Sequence, residues 1–380
     1  MSETIEQVVI RQSPLDEIHR RSGASLLERD GWRLPTHYGD TPGEYETVRG
    51  GGAGVIDLSS RGLVEVSGAE ATQFLNGLIT NDVKSLEDGA WMLAAFPNAQ
   101  GRLIAFARVL RRGDSYLFDT EAATHASVFK TLERFTLAGD FRVTDRTDEM
   151  TLLTVQGARA AASVGATLGE DAAHVERGRI HAALWNDQPA HVIRATHTSE
   201  DGFDVFLNAG QAPSFWEAIT TSGAKPVGLD ALEILRIEAG LPRYGVDMDE
   251  SNVVTETGLT DAVSYTKGCY IGQEIIARIH WRGHVAKQLA GLSFDDRAEV
   301  MRGASIKSTG DKEIGRITST TVSPRLNRTI ALAYVKYDYL APGTEVRVPL
   351  DEGERAARLS ELPFVRGSWY ASISGTEPKG

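Results

Sequence analysis

The most informative stretch of this chain is Lys267-Gly268-Cys269-Tyr270-Ile271-Gly272-Gln273-Glu274, which contains its only cysteine. We call this stretch the cysteine motif. A single thiol cannot form an internal disulfide, so Cys269 is either a small buried hydrophobe or a reactive group. Lys267 supplies a positive charge two residues away, and a helical pattern from Gln273 directs its positive dipole end towards the sulfur. Both effects favour a thiolate, but the surroundings alone leave the two roles open.

Length and composition indicate a globular protein of more than one domain. The chain has 380 residues, of which 41% are hydrophobic and 24% charged, and a single core stops growing at roughly 250–300 residues. The formal net charge of −12 disfavours a broad nucleic-acid-binding surface, because phosphate binding needs a basic face. One basic strip, residues 278–287, is the exception. It contains Trp281 among cations, although a solvated helix end is the commoner role of such a strip.

Nothing in the sequence predicts membrane insertion or export. No run reaches the roughly 18 apolar residues of a membrane helix. Residues 1–7 lack the basic and apolar regions of a signal peptide, and a lone cysteine suits a reducing compartment. We therefore expect a cytoplasmic protein.

The first two thirds of the chain contain an internal repeat. Residues 63–66 alternate as in a strand and lead through a Ser-Gly turn into a helical pattern, and residues 152–155 lead through Gln-Gly into another. The segment Gly68-Ala69-Glu70-Ala71 is echoed by Gly157-Ala158-Arg159-Ala160. The repeat predicts two related α+β halves.

The remaining patterns predict a helix and a β-rich C-terminal domain. Residues 229–239 form an apolar stripe that ends at Gly240, a common helix terminator. Short β-rich runs separated by glycine turns follow at residues 289–294, 313–318, 330–335 and 344–348. We predict three domains with the cysteine motif in the second and a small β-barrel or sandwich as the third. Their ranges are 1–148, 149–285 and 286–380.

Several stretches resemble the GcvT (glycine cleavage T-protein, aminomethyltransferase) superfamily, and the cysteine motif resembles the signature of its YgfZ branch. The supporting stretches are residues 14–38, 78–83, 235–240 and 317–324. The resemblance implies an α+β fold in which two ferredoxin-like halves surround a tetrahydrofolate pocket, with a C-terminal β-barrel. It further implies a folate-binding factor that supports iron–sulfur cluster assembly or repair, including clusters of tRNA-modifying enzymes.

The resemblance fails where T-proteins carry their chemistry. That family has an Asn-x-x-Gly-Gly segment followed by paired aspartates, the first of which serves in aminomethyl transfer. The matching stretch begins at Asn98, and its aspartate positions are Ala105 and Phe106. Because a methyl or a benzyl group can neither accept a proton nor stabilise a cation, aminomethyl transfer loses the group it needs.

The folate site, by contrast, retains a candidate carboxylate. Residues 197–203 resemble the T-protein loop whose glutamate holds the pterin, and Glu200 falls on that position. A carboxylate can accept the two adjacent N–H donors of the pterin edge, although Ser-Glu-Asp-Gly is also ordinary turn chemistry. Leu232 stands where T-proteins have an arginine that precedes the helix end, which changes how the folate tail is held.

The resemblance implies a set of site residues within the cysteine motif. Cys269 and Lys267 form the reactive pair, and Tyr270, Gln273 and Glu274 contribute to the cofactor site beside Glu200. A metal site is a weaker alternative. His280 and His284 have the i, i+4 spacing of helical ligands, with Cys269 as a third, but Gly283 argues against a continuous helix. We predict no metal.

Three functions remain open from sequence alone. The first is a tetrahydrofolate-binding accessory protein whose partners are iron–sulfur proteins or their assembly factors. The second is a folate-dependent aminomethyltransferase or demethylase, which the T-protein-like N-terminal arm (residues 14–38) supports. The third is a scaffold that binds partners through the barrel, in which case Cys269→Ala should be silent.

Overall fold

The computed structural model describes residues 10–136, 139–350 and 353–371, so the segment used above to argue against a signal peptide lies outside it. The helices are α1 (Asp16–Arg21), α2 (Thr41–Arg49), α3 (Ala71–Leu78), α4 (Ala122–Glu133), α5 (Ala160–Leu168), α6 (Glu170–Ala173), α7 (Ala212–Thr221), α8 (Leu229–Glu238), α9 (Gln273–Arg282) and α10 (Ser368–Ala371). Across those three ranges, no helix is long and apolar enough to cross a membrane.

The strands outnumber the helices and form four sheets. They are β1 (Arg11–Gln12), β2 (Ser25–Arg29), β3 (Trp32–His37), β4 (Gly54–Asp57), β5 (Gly62–Ser67), β6 (Trp91–Pro97), β7 (Leu103–Arg112), β8 (Ser115–Thr120), β9 (Arg142–Asp145), β10 (Met150–Gln156), β11 (Ile180–Trp185), β12 (Gln188–Arg194), β13 (Gly202–Asn208), β14 (Lys225–Pro226), β15 (Lys287–Phe294), β16 (Ser305–Ser308), β17 (Glu313–Ser323), β18 (Arg328–Lys336), β19 (Glu345–Leu350) and β20 (Gly353–Ser360).

Two α+β units share one construction, which confirms the predicted repeat. The first has the sheet order β6-β7-β8-β5-β9, and the second β11-β12-β13-β10-β4-β14. In both units, a glycine at positive φ separates a strand from the helix that follows it. Gly68 after β5 has a φ of 130°, and Gly157 after β10 has a φ of 128°. A β-carbon would lie 2.5 Å from the carbonyl oxygen of Asp140 at Gly68, and 2.4 Å from that of Gly52 at Gly157. Only glycine fits such a close approach of two backbones.

The second sheet contains a strand from outside its own stretch of chain. Strand β4 precedes the whole first unit, yet it pairs antiparallel with β10 and parallel with β14. The predicted boundary at residue 148 falls between β9 and β10, and the division into domains stays a prediction. Helices α2 and α8 pack with both sheets in a shared core that includes Val48, Leu117, Phe206 and Leu235.

The C-terminal part is a closed barrel with the strand order β15-β18-β17-β16-β19-β20. Its interior is apolar, with Phe294, Ile306 and Val348 all fully buried. Apolar side chains alternate along these strands because one face of each strand lines the interior. The predicted α+β fold with a C-terminal barrel is therefore confirmed, as is the predicted helix before Gly240, whose φ is 70°.

The N-terminal arm is joined to the second unit by a buried polar cluster. The ring nitrogen Nε2 of His19 lies 2.9 Å from a carboxylate oxygen of Asp57, and Tyr38 Oη lies 2.8 Å from Nδ1 of the same ring. Ser13 also donates to Asp57. Burial alone would raise the pKa of Asp57, but the bonds from His19 and the nearby hydroxyls hold it below its usual value.

Candidate functional site

The cysteine motif packs against segments of the first unit that the sequence had also singled out. The backbone N–H of Ile271 donates to the carbonyl oxygen of Gly77 at 3.2 Å. A β-carbon on Gly272 would lie 2.4 Å from the carbonyl oxygen of Asn98, and the φ of Gly272 is 77°. The motif and the segment that begins at Asn98 therefore meet without intervening side chains, and only glycine allows that contact.

Lys267 anchors the motif through backbone carbonyls. Its Nζ donates to the carbonyl oxygens of Ile79 at 2.9 Å and Asn81 at 2.6 Å, and it lies 5.1 Å from the ring centroid of Tyr270. Burial lowers the pKa of Lys267 to about 8. In the part of the chain that the structure describes, no hydrogen bond joins Lys267 to Cys269. The ammonium group thus fixes the position of the loop, whereas the sequence suggested direct support of the thiol.

Cys269 is exposed, so the alternative of a buried hydrophobe is wrong. Helix α9 begins at Gln273, four residues after the thiol, as predicted. Gln273 Nε2 reaches the carbonyl oxygen of Gly268 only at 3.5 Å, and Glu274 is exposed to solvent. Tyr270 is buried beside Ile276, and burial raises its pKa to about 12. The exposed thiol of Cys269 therefore lies in a loop in which Lys267 and Tyr270 are buried.

The outward side of α9 extends this surface. Arg278 and Arg282 are exposed, and Trp281 between them is 67% exposed. The helix ends at Arg282, so His284 lies beyond it and stacks on Tyr337. His280 instead stacks on Tyr265, with 3.6 Å between ring centroids. The two histidines do not share a helix face, which removes the spacing argument for a metal.

The positions of the missing aspartates are apolar and packed. Ala105 on β7 is fully buried in the core of the first unit, directly opposite Phe96 on β6. Phe106 packs against the apolar cluster that contains Tyr270 and Ile276. The cysteine motif thus borders the place where T-proteins carry an acid, and this chain presents hydrocarbon there.

Glu200 is engaged by the chain itself. One of its carboxylate oxygens accepts a hydrogen bond from Arg49 at 2.7 Å, and the other accepts from the backbone N–H and hydroxyl of Ser368 at 2.7 and 2.6 Å. Arg49 also binds Glu238 at 2.9 Å. A pterin would have to displace the C-terminal segment to reach Glu200.

A cavity of about 150 Å³ lies elsewhere, between β3, α8 and the segment after β4. Its apolar wall includes Leu34, Leu58, Leu229 and Leu232, so the leucine at the T-protein arginine position faces this space. Its polar lining includes Arg61, Glu121, His197 and Arg236.

Behind this cavity runs a buried ion network that the sequence analysis missed. His197 lies 2.9 Å from a carboxylate oxygen of Asp204, which also pairs with Arg108. Arg108 and Arg61 both bind Asp119. Burial alone would raise the pKa of Asp204, but the charges of Arg108 and His197 hold it far below its usual value. The one available signal was a charged side chain at a position within an apolar strand.

Comparison with known proteins decides the family. Residues 15–267 match the GCVT N-terminal domain, and residues 287–366 match the glycine cleavage T-protein C-terminal barrel domain. The chain is 35% identical over 360 residues to an aminomethyltransferase of Rubrobacter xylanophilus. The match covers 94% of this chain and 95% of that protein. This chain belongs to the GcvT family. The structural similarity agrees, since the crystal structure of the glycine cleavage system aminomethyltransferase T from Bartonella henselae superposes with a TM-score of 0.85. The two are 26% identical, and the match covers 94% of this chain and 98% of that one.

The GcvT family uses tetrahydrofolate, a carrier of one-carbon groups, and the cavity beside Leu232 offers a partial fit to it. Its leucine walls suit the faces of a flat pterin ring. One carboxylate oxygen of Glu121 accepts a hydrogen bond from Arg61 at 2.8 Å, and the other would be available to ring N–H groups. A volume of about 150 Å³ is below the roughly 300–1,000 Å³ of most ligand pockets. The volume of this cavity would therefore suit a ring but not a whole folate.

Proposed function

We propose that this GcvT-family protein is a YgfZ-like accessory protein that binds tetrahydrofolate and works through the thiol of Cys269. In this proposal it supports the assembly or repair of iron–sulfur clusters, including those of tRNA-modifying enzymes. Its partners are iron–sulfur proteins or their assembly factors. The observation that carries the proposal is the replacement of the T-protein acids by packed hydrocarbon beside an exposed thiol.

The first support is the loss of aminomethyl transfer chemistry. Ala105 is fully buried and Phe106 is part of an apolar cluster. Neither side chain can take a proton or stabilise a developing cation. A carboxylate at Ala105 would also be buried without a charge partner, which is expensive. Position 105 therefore contributes to the packing of the core.

The second support is the way in which the thiol is presented. Cys269 is exposed, while its neighbours Lys267 and Tyr270 are only 8% exposed each. A loop held on both sides of one exposed side chain is suited to hold that side chain towards a partner molecule. The exposed Arg278, Trp281 and Arg282 on the adjoining helix are residue types that are enriched in protein interfaces.

The third support is the cavity beside Leu232, where folate would bind through its ring. Glu121 would accept the N–H edge of the ring, and Leu58 and Leu229 would cover its faces. Glu200, the carboxylate that the family resemblance suggested, would take part only after Ser368 has left it. We therefore propose that the ring binds in the cavity. Glu200 would contribute only in a conformation in which Ser368 no longer contacts it.

The decisive experiment is rescue of a strain that lacks this gene, with the activity of a cellular iron–sulfur enzyme as the readout. Wild type should restore activity, and Cys269→Ala and Cys269→Ser at equal abundance should not. The control is Ile271→Ala, because Ile271 is 37% exposed in the same loop and should rescue fully. Unchanged cluster enzymes in the deletion strain, or full rescue by Cys269→Ala, would overturn the proposal.

Folate binding is tested separately by titration of the purified protein with tetrahydrofolate. We expect saturable binding that weakens when Leu232→Glu places a charge in the leucine wall of the cavity, and that is insensitive to Cys269→Ala. Binding unaffected by Leu232→Glu would show that the ring lies elsewhere.

The second candidate function is a folate-dependent aminomethyltransferase or demethylase. Relatives named aminomethyltransferase match 94% of this chain, including the N-terminal arm, and this favours the candidate. Formation of methylene- or methyl-tetrahydrofolate from an aminomethyl or N-methyl donor would establish it. We expect no such product, because Ala105 and Phe106 stand where T-proteins have aspartates, and neither side chain is an acid.

A further inference from the structure

A second groove, larger than the cavity beside Leu232, lies between the segment after α8 and the barrel. Its volume is about 460 Å³, within the roughly 300–1,000 Å³ typical of small-molecule sites. One wall comes from residues 246–252, and the opposite wall from β17 and β18. Arg236 lines the smaller cavity and Asp247 lines this groove, and the two form an ion pair at 2.7 Å. The groove is therefore adjacent to the proposed folate cavity, but the two share no lining residue.

The groove gathers cations in a protein whose formal net charge is −12. Its lining includes four cationic side chains from separate segments, namely Lys287, Arg302, Arg316 and Lys336. The lining carboxylates are Asp247, Asp249 and Glu313. Asp247 is already paired with Arg236, and Glu313 lies 4.0 Å from Arg316. Within residues 10–136, 139–350 and 353–371, neither Lys287 nor Arg302 forms an ion pair.

An uncommitted hydrogen-bond donor lies in the same wall. Tyr334 lines the groove and is only 6% exposed, and its hydroxyl is buried without a hydrogen-bond partner among the described residues. Lys287 Nζ lies 5.0 Å from the centroid of the same ring. A buried hydroxyl without a partner costs free energy, because its hydrogen bonds to water are lost and not replaced. A ligand that brings an acceptor to this wall would remove that cost.

We propose that this groove binds a small organic anion that carries more than one carboxylate or phosphate group. Lys287 and Arg302 supply charge that is in no ion pair among the described residues, and Arg302 also donates to the carbonyl oxygens of Gly245 and Val246. Arg316 and Lys336 line the opposite side, and Tyr334 donates to an anionic oxygen. Charged hydrogen bonds are the stronger ones, and several cations from different segments match a ligand with several anionic groups. This site goes beyond the proposed folate and thiol function and does not depend on it.

Calorimetric titration with two probes tests the site, with tri-γ-glutamate as the polycarboxylate and inorganic tripolyphosphate as the polyphosphate. We expect at least one probe to bind wild type. Lys287→Gln should weaken that binding by about tenfold, in line with the loss of one charged hydrogen bond, and Tyr334→Phe by a smaller factor. The matched control is Arg355→Gln, a barrel cation outside the groove that is half exposed and lies 3.9 Å from Asp296. It should bind as wild type does.

The source of the anion is resolved by comparing pteroyltriglutamate with pteroylmonoglutamate. If the groove receives the tail of a bound folate, the triglutamate binds more tightly in wild type and loses that advantage in Lys287→Gln. If both folates bind equally while a free probe still depends on Lys287, the ligand is a separate anion. Absence of binding by both probes at 1 mM, or equal binding by Lys287→Gln, would overturn the site. Neither result would affect the test with tetrahydrofolate alone.

Discussion

The carbonyl oxygen of Asn98 occupies the space that a side chain on Gly272 would need. A β-carbon on Gly272 would lie 2.4 Å from that oxygen. Two motifs that are distant in the sequence thereby contact each other through backbone. The position of the thiol loop thus depends on the absence of a side chain at one residue.

Gly272→Ala should lower the free energy of unfolding more than an alanine at an unobstructed glycine. Both Gly272 and Gly258 have a φ of 77°, but a β-carbon on Gly258 meets nothing within 4 Å. Backbone strain alone costs about 1–2 kcal/mol, and the clash at Gly272 should add roughly 1–3 kcal/mol. Denaturant unfolding of the two variants measures the difference. Equal losses would mean that the loop moves away from Asn98 at no cost.

The thiol of Cys269 should react rapidly in the folded protein. Because it is exposed, a disulfide reagent such as dithionitrobenzoate should release one equivalent of chromophore per chain. The rate should be within about tenfold of that of the unfolded chain, since access rather than unfolding limits it. The Cys269→Ala variant, which has no thiol, gives the background signal of the assay. A thiol that reacts only after denaturation would contradict its exposure.

Lys267 should make stability depend on pH above neutrality. Its pKa of about 8 is lower than the ordinary 10.5, so between these values the unfolded chain binds more protons than the folded one, and stability rises with pH. Relative to Lys267→Met, wild type should gain roughly 1–2 kcal/mol between pH 8 and pH 9.5. Lys130→Met, at an exposed lysine of α4, should follow the wild-type profile. A flat difference between wild type and Lys267→Met would show that the buried ammonium is not destabilised.

Asp57→Asn should release the N-terminal arm. Removing one charge from the buried pair with His19 should cost about 2–4 kcal/mol, whereas Asp148→Asn, at a side chain 80% exposed, should change little. Since the pKa of Asp57 lies below its ordinary 3.8, its contribution is present above that pH and is lost as the pH falls through the folded value. Urea unfolding at pH 7 checks the first expectation, and proteolysis between residues 21 and 41 reports on the arm. An unchanged midpoint would mean that the neutral amide replaces the carboxylate fully.

Ala105→Asp should destabilise the protein rather than restore a transferase. A carboxylate there would be buried against Phe96 without a cation, at a cost of about 3 kcal/mol or more. Ala126→Asp, at an exposed position of α4, is the control and should cost only a few tenths to about 1 kcal/mol. Thermal unfolding and an assay for methylene-tetrahydrofolate together test this prediction. A stable variant with transferase activity would show that the site needs only its acid.

The sequence predicted those parts of the fold that are coded locally. Helix α8 and the two strand–turn–helix units follow from apolar periodicity and from glycines at Gly68 and Gly157. Strand β20 was missed, because three of its eight residues are charged and only Ala357 and Leu359 are buried. The place of β4 was also missed, since pairing with β10 joins segments that no local pattern connects.

The candidate site was predicted in part for the same reason. The cysteine motif is a contiguous signal, and the helix start at Gln273 followed from it, whereas the exposure of Cys269 was one of two alternatives that the sequence left open. The network of Arg108, Asp119 and Asp204 is assembled from three strands, so each residue in isolation resembles a solvent-facing charge. The contact of Ser368 with Glu200 joins a loop to the distant end of the chain, and no spacing in the sequence could indicate it.

Strand β4 also sets an order of events during synthesis. The ribosome releases it before any of the first unit, whose own sheet is contiguous in the chain and can form as soon as β9 has emerged. β4 then has no partner strand until β10, and later β14, has been synthesised. The second unit therefore becomes foldable only in a chain that still carries its N-terminal part, and a gene fragment that starts at the repeat would encode a sheet lacking one of its inner strands.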